Sequence, residues 1–177
     1  MKYILLSVCL CLCMTLLAGP DDFTTGPLIE DFGKTAIVDT DVAIDKNHVL
    51  NVAFDVGKQS ETGEINRSFD SLARFLNMHV RAGLKPENIN LALVVHGKAA
   101  YDLLSNKAYD SRFLGDNPNQ ALLAALLAND VDIYLCGQTA AYYDIKNSDL
   151  QKGVSMALSA MTAHALLQQQ GYTLNPF

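Results

Sequence analysis

The sequence predicts an α/β fold built on a mainly parallel sheet, and three features carry that expectation. Two apolar runs, Ile89-Asn90-Leu91-Ala92-Leu93-Val94-Val95-His96-Gly97 and Val131-Asp132-Ile133-Tyr134-Leu135-Cys136-Gly137-Gln138, each end in a reactive side chain followed by glycine. Runs this short and this apolar suit strands buried on both faces. The segment His48 to Val56 alternates, with Leu50, Val52, Phe54 and Val56 on one side and Val49, Asn51, Ala53 and Asp55 on the other, which is the period of a strand. Between it and the first run, Ile65, Phe69, Leu72, Ala73, Leu76 and Val80 recur at three- and four-residue steps, so a helix joins two parallel strands by a crossover.

Residues 1 to 19 open with Met1-Lys2, continue as an uncharged run from Tyr3 to Leu17 and close on Ala18-Gly19 before Pro20. This is the pattern of a secretory signal peptide, expected to be cut after Ala18. The run falls short of the ~20 apolar residues of a membrane span, so no stable insertion is expected after cleavage. Lipid anchoring at Cys9, Cys11 or Cys13 is the lesser alternative, because Val8, Leu10 and Leu12 stand where lipoprotein signals place a small residue. The expected location is outside the inner membrane, in the periplasm. Of the four cysteines, cleavage leaves Cys136, which then has no partner for an intramolecular disulfide and is exposed to oxidising conditions.

Residues 20 to 47, with Pro20, Gly26, Pro27 and Gly33, show no sustained period and read as an N-terminal arm lying along a body of residues 48 to 177, with Ile37-Val38 and Val42-Ala43-Ile44 as possible short strands. The first helix is predicted over Glu64 to Ala82, with Gly83 as its stop. On it, His79 is expected to pack at the edge of the apolar stripe, Asn77 to be solvated or to cap, and Arg67, Asp70 and Arg74 to face water. A short helix through Ala99, Ala100, Leu103 and Leu104 gives way to a polar stretch up to Asp116. Asn117-Pro118 starts the next helix, Asn119 to Ala128, whose uncharged Ala and Leu residues are expected to be buried on several sides. After the strand ending at Cys136 come a loop through Tyr142, Tyr143 and Asp144 and a helix from Lys152 to Gln170. That helix is apolar on two nearly opposite faces, Val154, Leu158, Met161 and Ala165 against Met156, Ala160, Ala163 and Leu167. One core cannot bury both, so a homo-oligomer is expected, with His164 in the interface. Gly171 to Phe177 adds a short strand and a packed terminal aromatic.

Composition narrows the function. A net charge of −6 and no basic cluster argue against nucleic acid. There is no glycine-rich phosphate loop, no Cys-x-x-Cys, no His-Glu-x-x-His and no Gly-x-Ser-x-Gly, which lowers the nucleotide, zinc and serine-hydrolase classes. Ligands of parallel sheets gather beyond the carboxyl ends of the strands, and if the two apolar strands are neighbours, Cys136 and His96 share a rim there. Cys136 is then a thiolate nucleophile assisted by an imidazole, or a small apolar plug. His96 is its partner, or is satisfied by loop backbone. Asp55, at the end of its strand, suits loop-amide hydrogen bonds as well as a catalytic task. Gln138, Tyr142 and Tyr143 can line the cleft or act as packing lids.

Val52-Ala53-Phe54-Asp55-Val56, Ala73-Arg74-Phe75-Leu76-Asn77-Met78-His79, Val94-Val95-His96-Gly97-Lys98-Ala99, Asn117-Pro118-Asn119, Leu135-Cys136-Gly137-Gln138, and Ser159-Ala160-Met161-Thr162 with Gly171-Tyr172 together resemble the DsrE/DsrF-like family over most of the chain, in particular its exported branch. The resemblance implies a three-layer α/β fold with a mainly parallel central sheet, assembly as a trimer or hexamer, and relatives that pass sulfur as a cysteine persulfide. On it, Cys136 matches the sulfur-carrying cysteine and His96-Gly97 the His-Gly strand end lining the same pocket. Relay members place a basic residue and glycine some way after the cysteine, whereas here no Arg or Lys precedes Lys146, and they work in the cytoplasm.

The resulting expectation is an exported persulfide carrier or sulfurtransferase-like relay. Cys136 and His96 are its catalytic pair, Asp55, Gly97, Gly137, Gln138 and Tyr142 surround the substrate, a sulfur donor and acceptor are its partners, and no metal or other cofactor is needed. The alternative is a non-enzymatic oligomeric module that binds a small ligand or metal beside a structural cysteine.

Overall fold

The computed structural model describes residues 19–175. The signal-peptide expectation and the packing of Phe177 lie outside them. In chain order the elements are β1 (Leu50–Val56), α1 (Arg67–Arg81), β2 (Ile89–Val95), α2 (Asn106–Phe113), α3 (Gln120–Ala128), β3 (Asp132–Cys136), α4 (Gly137–Tyr142), β4 (Ser155–Ala157), α5 (Ala160–Gln169) and β5 (Thr173–Asn175). The five strands form one sheet in the order β4-β3-β2-β1-β5, with every pairing parallel. No helix among the described residues is long and apolar enough to cross a membrane.

Strand alternation sorts the sheet into two unlike faces. Val52, Phe54 and Val56 of β1, Leu91, Leu93 and Val95 of β2, and Ile133 and Leu135 of β3 join Phe69, Leu72 and Leu76 of α1 and Leu122, Leu123 and Leu126 of α3 in the large core. Each fully buried leucine there contributes about 1.5–3 kcal/mol, so most of the stability resides on this side. The opposite face carries Ala53, Ala92 and Val94, on which α5 sits through Ala163 and Leu167. Small residues let that helix lie close to the sheet. The result is a three-layer α/β fold, as the sequence predicts.

The arm is tied down by polar contacts to α1. Asn77, expected in solvent or at a cap, is fully buried. Its Oδ1 accepts from the backbone N–H of Leu28 (3.1 Å) and Ile29 (2.8 Å), and its Nδ2 donates to the carbonyls of Ile29, Phe32 and Gly33. Asp70 likewise turns to the arm, accepting from Gly33 N–H at 2.8 Å, and Arg81 donates to the carbonyls of Thr35 and Gly26. A hydrophobic period cannot show that a polar helix residue is claimed by a distant loop. Ile37, Val38 and Val42 are exposed and outside any strand.

Other departures have local causes. The first helix begins at Arg67 because Asn66 caps it through Ser68 N–H. The polar stretch before Asp116 contains α2, capped by Ser105. Helix α3 buries Leu122, Leu123 and Leu126, while Ala121, Ala124 and Ala128 are exposed. The segment after Cys136 is α4 rather than a loop. The long last helix divides at Ser159, whose hydroxyl caps α5 by accepting from Thr162 N–H at 3.0 Å. The residues before it form β4, pairing Tyr134 with Ser155 and Cys136 with Ala157. Part of the two-faced apolar pattern therefore belongs to an edge strand, although Leu158, Met161 and Leu166 remain exposed.

Candidate functional site

Alternation along the three central strands sets the site. Asp55 follows Ala53 by two residues, His96 follows Val94 and Cys136 follows Tyr134, so all three emerge at the carboxyl ends on the side covered by α5. Pairing puts the strand ends level, since Val56 stands opposite Val95 and Val95 opposite Leu135. A cleft of about 310 Å³ opens there, lined by Asp55, His96, Cys136, Gln138, Thr139, Ser159, Ala160, Met161 and His164.

Asp55 is the centre of its polar wall. Oδ2 accepts from His96 Nε2 at 3.0 Å and Oδ1 from His164 Nε2 at 2.7 Å. Partial burial pushes the carboxyl up, but the hydrogen bonds from His164 and His96 and the charge those rings can carry outweigh it and hold it below its ordinary value. At neutral pH Asp55 is an acceptor-only carboxylate, so both rings carry their proton on Nε2.

Cys136 ends β3 at the cleft wall and is 7% exposed. Its sulfur is met by the backbone N–H of Thr139, that of Ala160, the Thr139 hydroxyl and the N–H of Gln138. Burial pushes the thiol up, and these donors together bring it below its ordinary value because they favour the anion. The sulfur is thus stabilised by amides at the start of α4 and α5, while His96 spends its Nε2 on Asp55. The expected pair, Cys136 and His96, lines one cleft, with no direct hydrogen bond between the two among the described residues.

The remaining candidates have definite places. Gly97 lies at φ +53, a left-handed conformation, with Gly57 O only 2.9 Å from where a Cβ would stand. Its N–H donates to Thr139 Oγ1 at 3.2 Å, tying the His96 turn to the residue that donates to the sulfur. Gly137 admits the carbonyl of Ala157, 2.6 Å from a Cβ position, so β4 can pass close to the thiol. Gln138 lines the cleft and donates to Leu158 O at 3.3 Å. Tyr142 is 82% exposed at the far end of α4, stacks edgewise on Tyr143 and falls outside the cleft lining. His79 packs on Phe75, as expected.

Thr139, Ser159, Ala160, Met161 and His164 line the cleft without having been among the predicted site residues. The signal for His164 was its i+4 spacing from Ala160, which puts both on one face of a helix, but that face could be oriented only once Ser159 was known to start α5. Behind the site, fully buried Asp102 accepts from Ser60 N–H, Ser60 Oγ and Asn66 Nδ2. Burial lifts its carboxyl above the ordinary value against those hydrogen bonds. Asn66 N–H reaches Asn119 Oδ1, and Asn117 Oδ1 accepts from Asn119 N–H, so the loops behind the strand ends form one polar network. Among the described residues no group of three or more His, Cys, Asp and Glu side chains is arranged to hold a metal ion.

Two solved structures share the architecture. The ychN protein from E. coli is 19% identical, with a TM-score of 0.53 over 73% of this chain and 100% of its own. The protein of unknown function MTH1491 from Methanobacterium thermoautotrophicum is 17% identical, with a TM-score of 0.53 over 72% of this chain and 99% of its own. Both likenesses speak to the fold. No curated protein matches the sequence. The family model for the DsrE/DsrF-like family matches residues 49–176, which spans every strand and helix described above, and the chain belongs to that family.

Proposed function

We propose that this protein handles sulfane sulfur through Cys136, which accepts a sulfur atom as a persulfide and passes it to a thiol acceptor. One observation carries this reading: a thiol held below its ordinary value by hydrogen-bond donors lines the same cleft as a carboxylate with two histidines. A thiolate is the nucleophile that sulfur exchange requires, and the neighbouring imidazoles can take up and return the protons. Family membership supports the reading, because sulfur relay occurs among DsrE-like proteins. The leader-like residues 1 to 19 support action after export, in the periplasm. Exposed Leu158, Met161 and Leu166 along β4 and α5 support self-association.

The test is the intact mass of the purified protein after incubation with a sulfane-sulfur donor. The wild type is expected to gain one sulfur atom that a thiol reductant removes, and Cys136→Ser to gain none. Equal gain by both proteins, or by neither, refutes the proposal.

A further inference from the structure

The cleft holds a residue whose chemistry the thiol alone does not explain. His164 reaches Asp55 from α5, 109 residues away in sequence, at 2.7 Å, and its side chain is 17% exposed against 40% for His96. Its Nε2 is committed to the carboxylate, and its Nδ1 has no hydrogen-bond partner among the described residues. Nδ1 is therefore the nitrogen left to exchange protons. Ala160, whose N–H meets the Cys136 sulfur, lies one turn earlier on α5, so a single helix face brings both a donor for the sulfur and an imidazole to the cleft.

We propose that His164 is the acid–base residue of this site, taking the proton of the Cys136 thiol on Nδ1 through one water in the cleft both side chains line and returning it the same way to the thiolate released by the sulfur donor, with Asp55 as the positioning residue that fixes its tautomer. The inference rests on the sulfur-handling reading above. With a low-molecular-weight hydropersulfide as donor, the Cys136 S–H proton moves through that water to His164 Nδ1. The thiolate then attacks the terminal sulfur of RS–SH, the S–S bond of the donor breaks as the new one forms, and RS⁻ leaves with the electron pair. The imidazolium gives its Nδ1 proton to RS⁻. The sum, Cys136–SH plus RS–SH giving Cys136–S–SH plus RSH, balances without an oxidant. Asp55 stabilises the imidazolium during the interval when it carries both protons.

His164 rather than His96 is assigned because it is the more enclosed ring and makes the shorter bond to Asp55. Shielding from water strengthens that charge pairing.

Two reactions of one thiol separate this role from a structural one. Alkylation by iodoacetamide expels iodide, which takes up no proton, whereas loading from cysteine hydropersulfide releases a thiolate whose departure an acid assists. His164→Gln is expected to keep its alkylation rate, measured above the pH midpoint of that alkylation, within about twofold of wild type, and to slow loading by about tenfold or more, the lower edge of general acid–base effects. Added imidazole is expected to restore part of the loading rate in His164→Ala. Asp55→Asn is expected to lose loading similarly, and Asp55→Glu to recover part of it. Loading by His164→Gln at the wild-type rate overturns the proposal, and so does an equal loss of alkylation and loading. If the wild type takes up no sulfur while Cys136 alkylates normally, the sulfur reading itself falls, and this assignment with it.

Discussion

Asp55 and His164 stand 109 residues apart in the chain and 2.7 Å apart in the fold, and the contact gives the sheet's α5 face a carboxylate–histidine link to the helix that covers it. Because partners hold the Asp55 carboxyl below its ordinary value of 3.8, its charged form stabilises the fold above that pH. The contribution fades as pH falls through the lowered folded value. Asp55→Asn is therefore expected to lower the melting temperature at pH 7, with the deficit shrinking as both proteins are taken below pH 3.8. Thermal melts across that range check this, and a deficit that grows toward acid would contradict it.

Thr139 connects the two halves of the site, accepting from Gly97 N–H at 3.2 Å and donating to the Cys136 sulfur. Thr139→Val keeps the shape and the backbone N–H but loses the hydroxyl. The pH midpoint of Cys136 alkylation is expected to rise. A midpoint that stays put or falls would show that the hydroxyl does not help to hold the anion.

Gly57 supplies the seat for His96. A Cβ there would stand 2.6 Å from His96 Cε1 and 3.1 Å from both ring nitrogens. The obstacle is the end of a side chain that can swing away, so Gly57→Ala is expected to change stability by no more than ~1 kcal/mol. It should nevertheless displace the ring from Asp55, visible as a changed His96 imidazole resonance in NMR spectra. An unchanged resonance would contradict the packing described.

Asn77 holds the arm through both ends of its amide. Asn77→Ala strands several buried backbone groups, each worth ~1–3 kcal/mol. It is expected to destabilise the protein by about 3 kcal/mol and to expose the arm to protease, measured by urea unfolding and limited proteolysis. A loss below ~1 kcal/mol would mean that water replaces the amide.

Much of this was legible before the structure. Alternation in β1 placed Asp55 opposite the Val52, Phe54 and Val56 face, and the runs ending in His96-Gly97 and Cys136-Gly137 marked two strand ends that share a rim if the strands are neighbours, as β2 and β3 are. Hydrophobic pattern reports what is buried, and the strands and the core face of α1 obey it. It could not report what polar groups bind, so Asn77 was read as solvated or capping and Asp70 as facing water, although the arm claims both. Nor could it separate β4 from α5, because Met156 and Ala157 are as apolar in an edge strand as in a helix. With that boundary misplaced, His164 pointed to an interface rather than to Asp55.

The central claim is that Cys136 is a reachable, readily ionised thiol, and the rate of its alkylation in the native protein as a function of pH tests it most directly. The account expects labelling without denaturant, with a midpoint below that of an unperturbed thiol. A thiol that stays unlabelled until the protein is unfolded, or that titrates above the ordinary value, would contradict it.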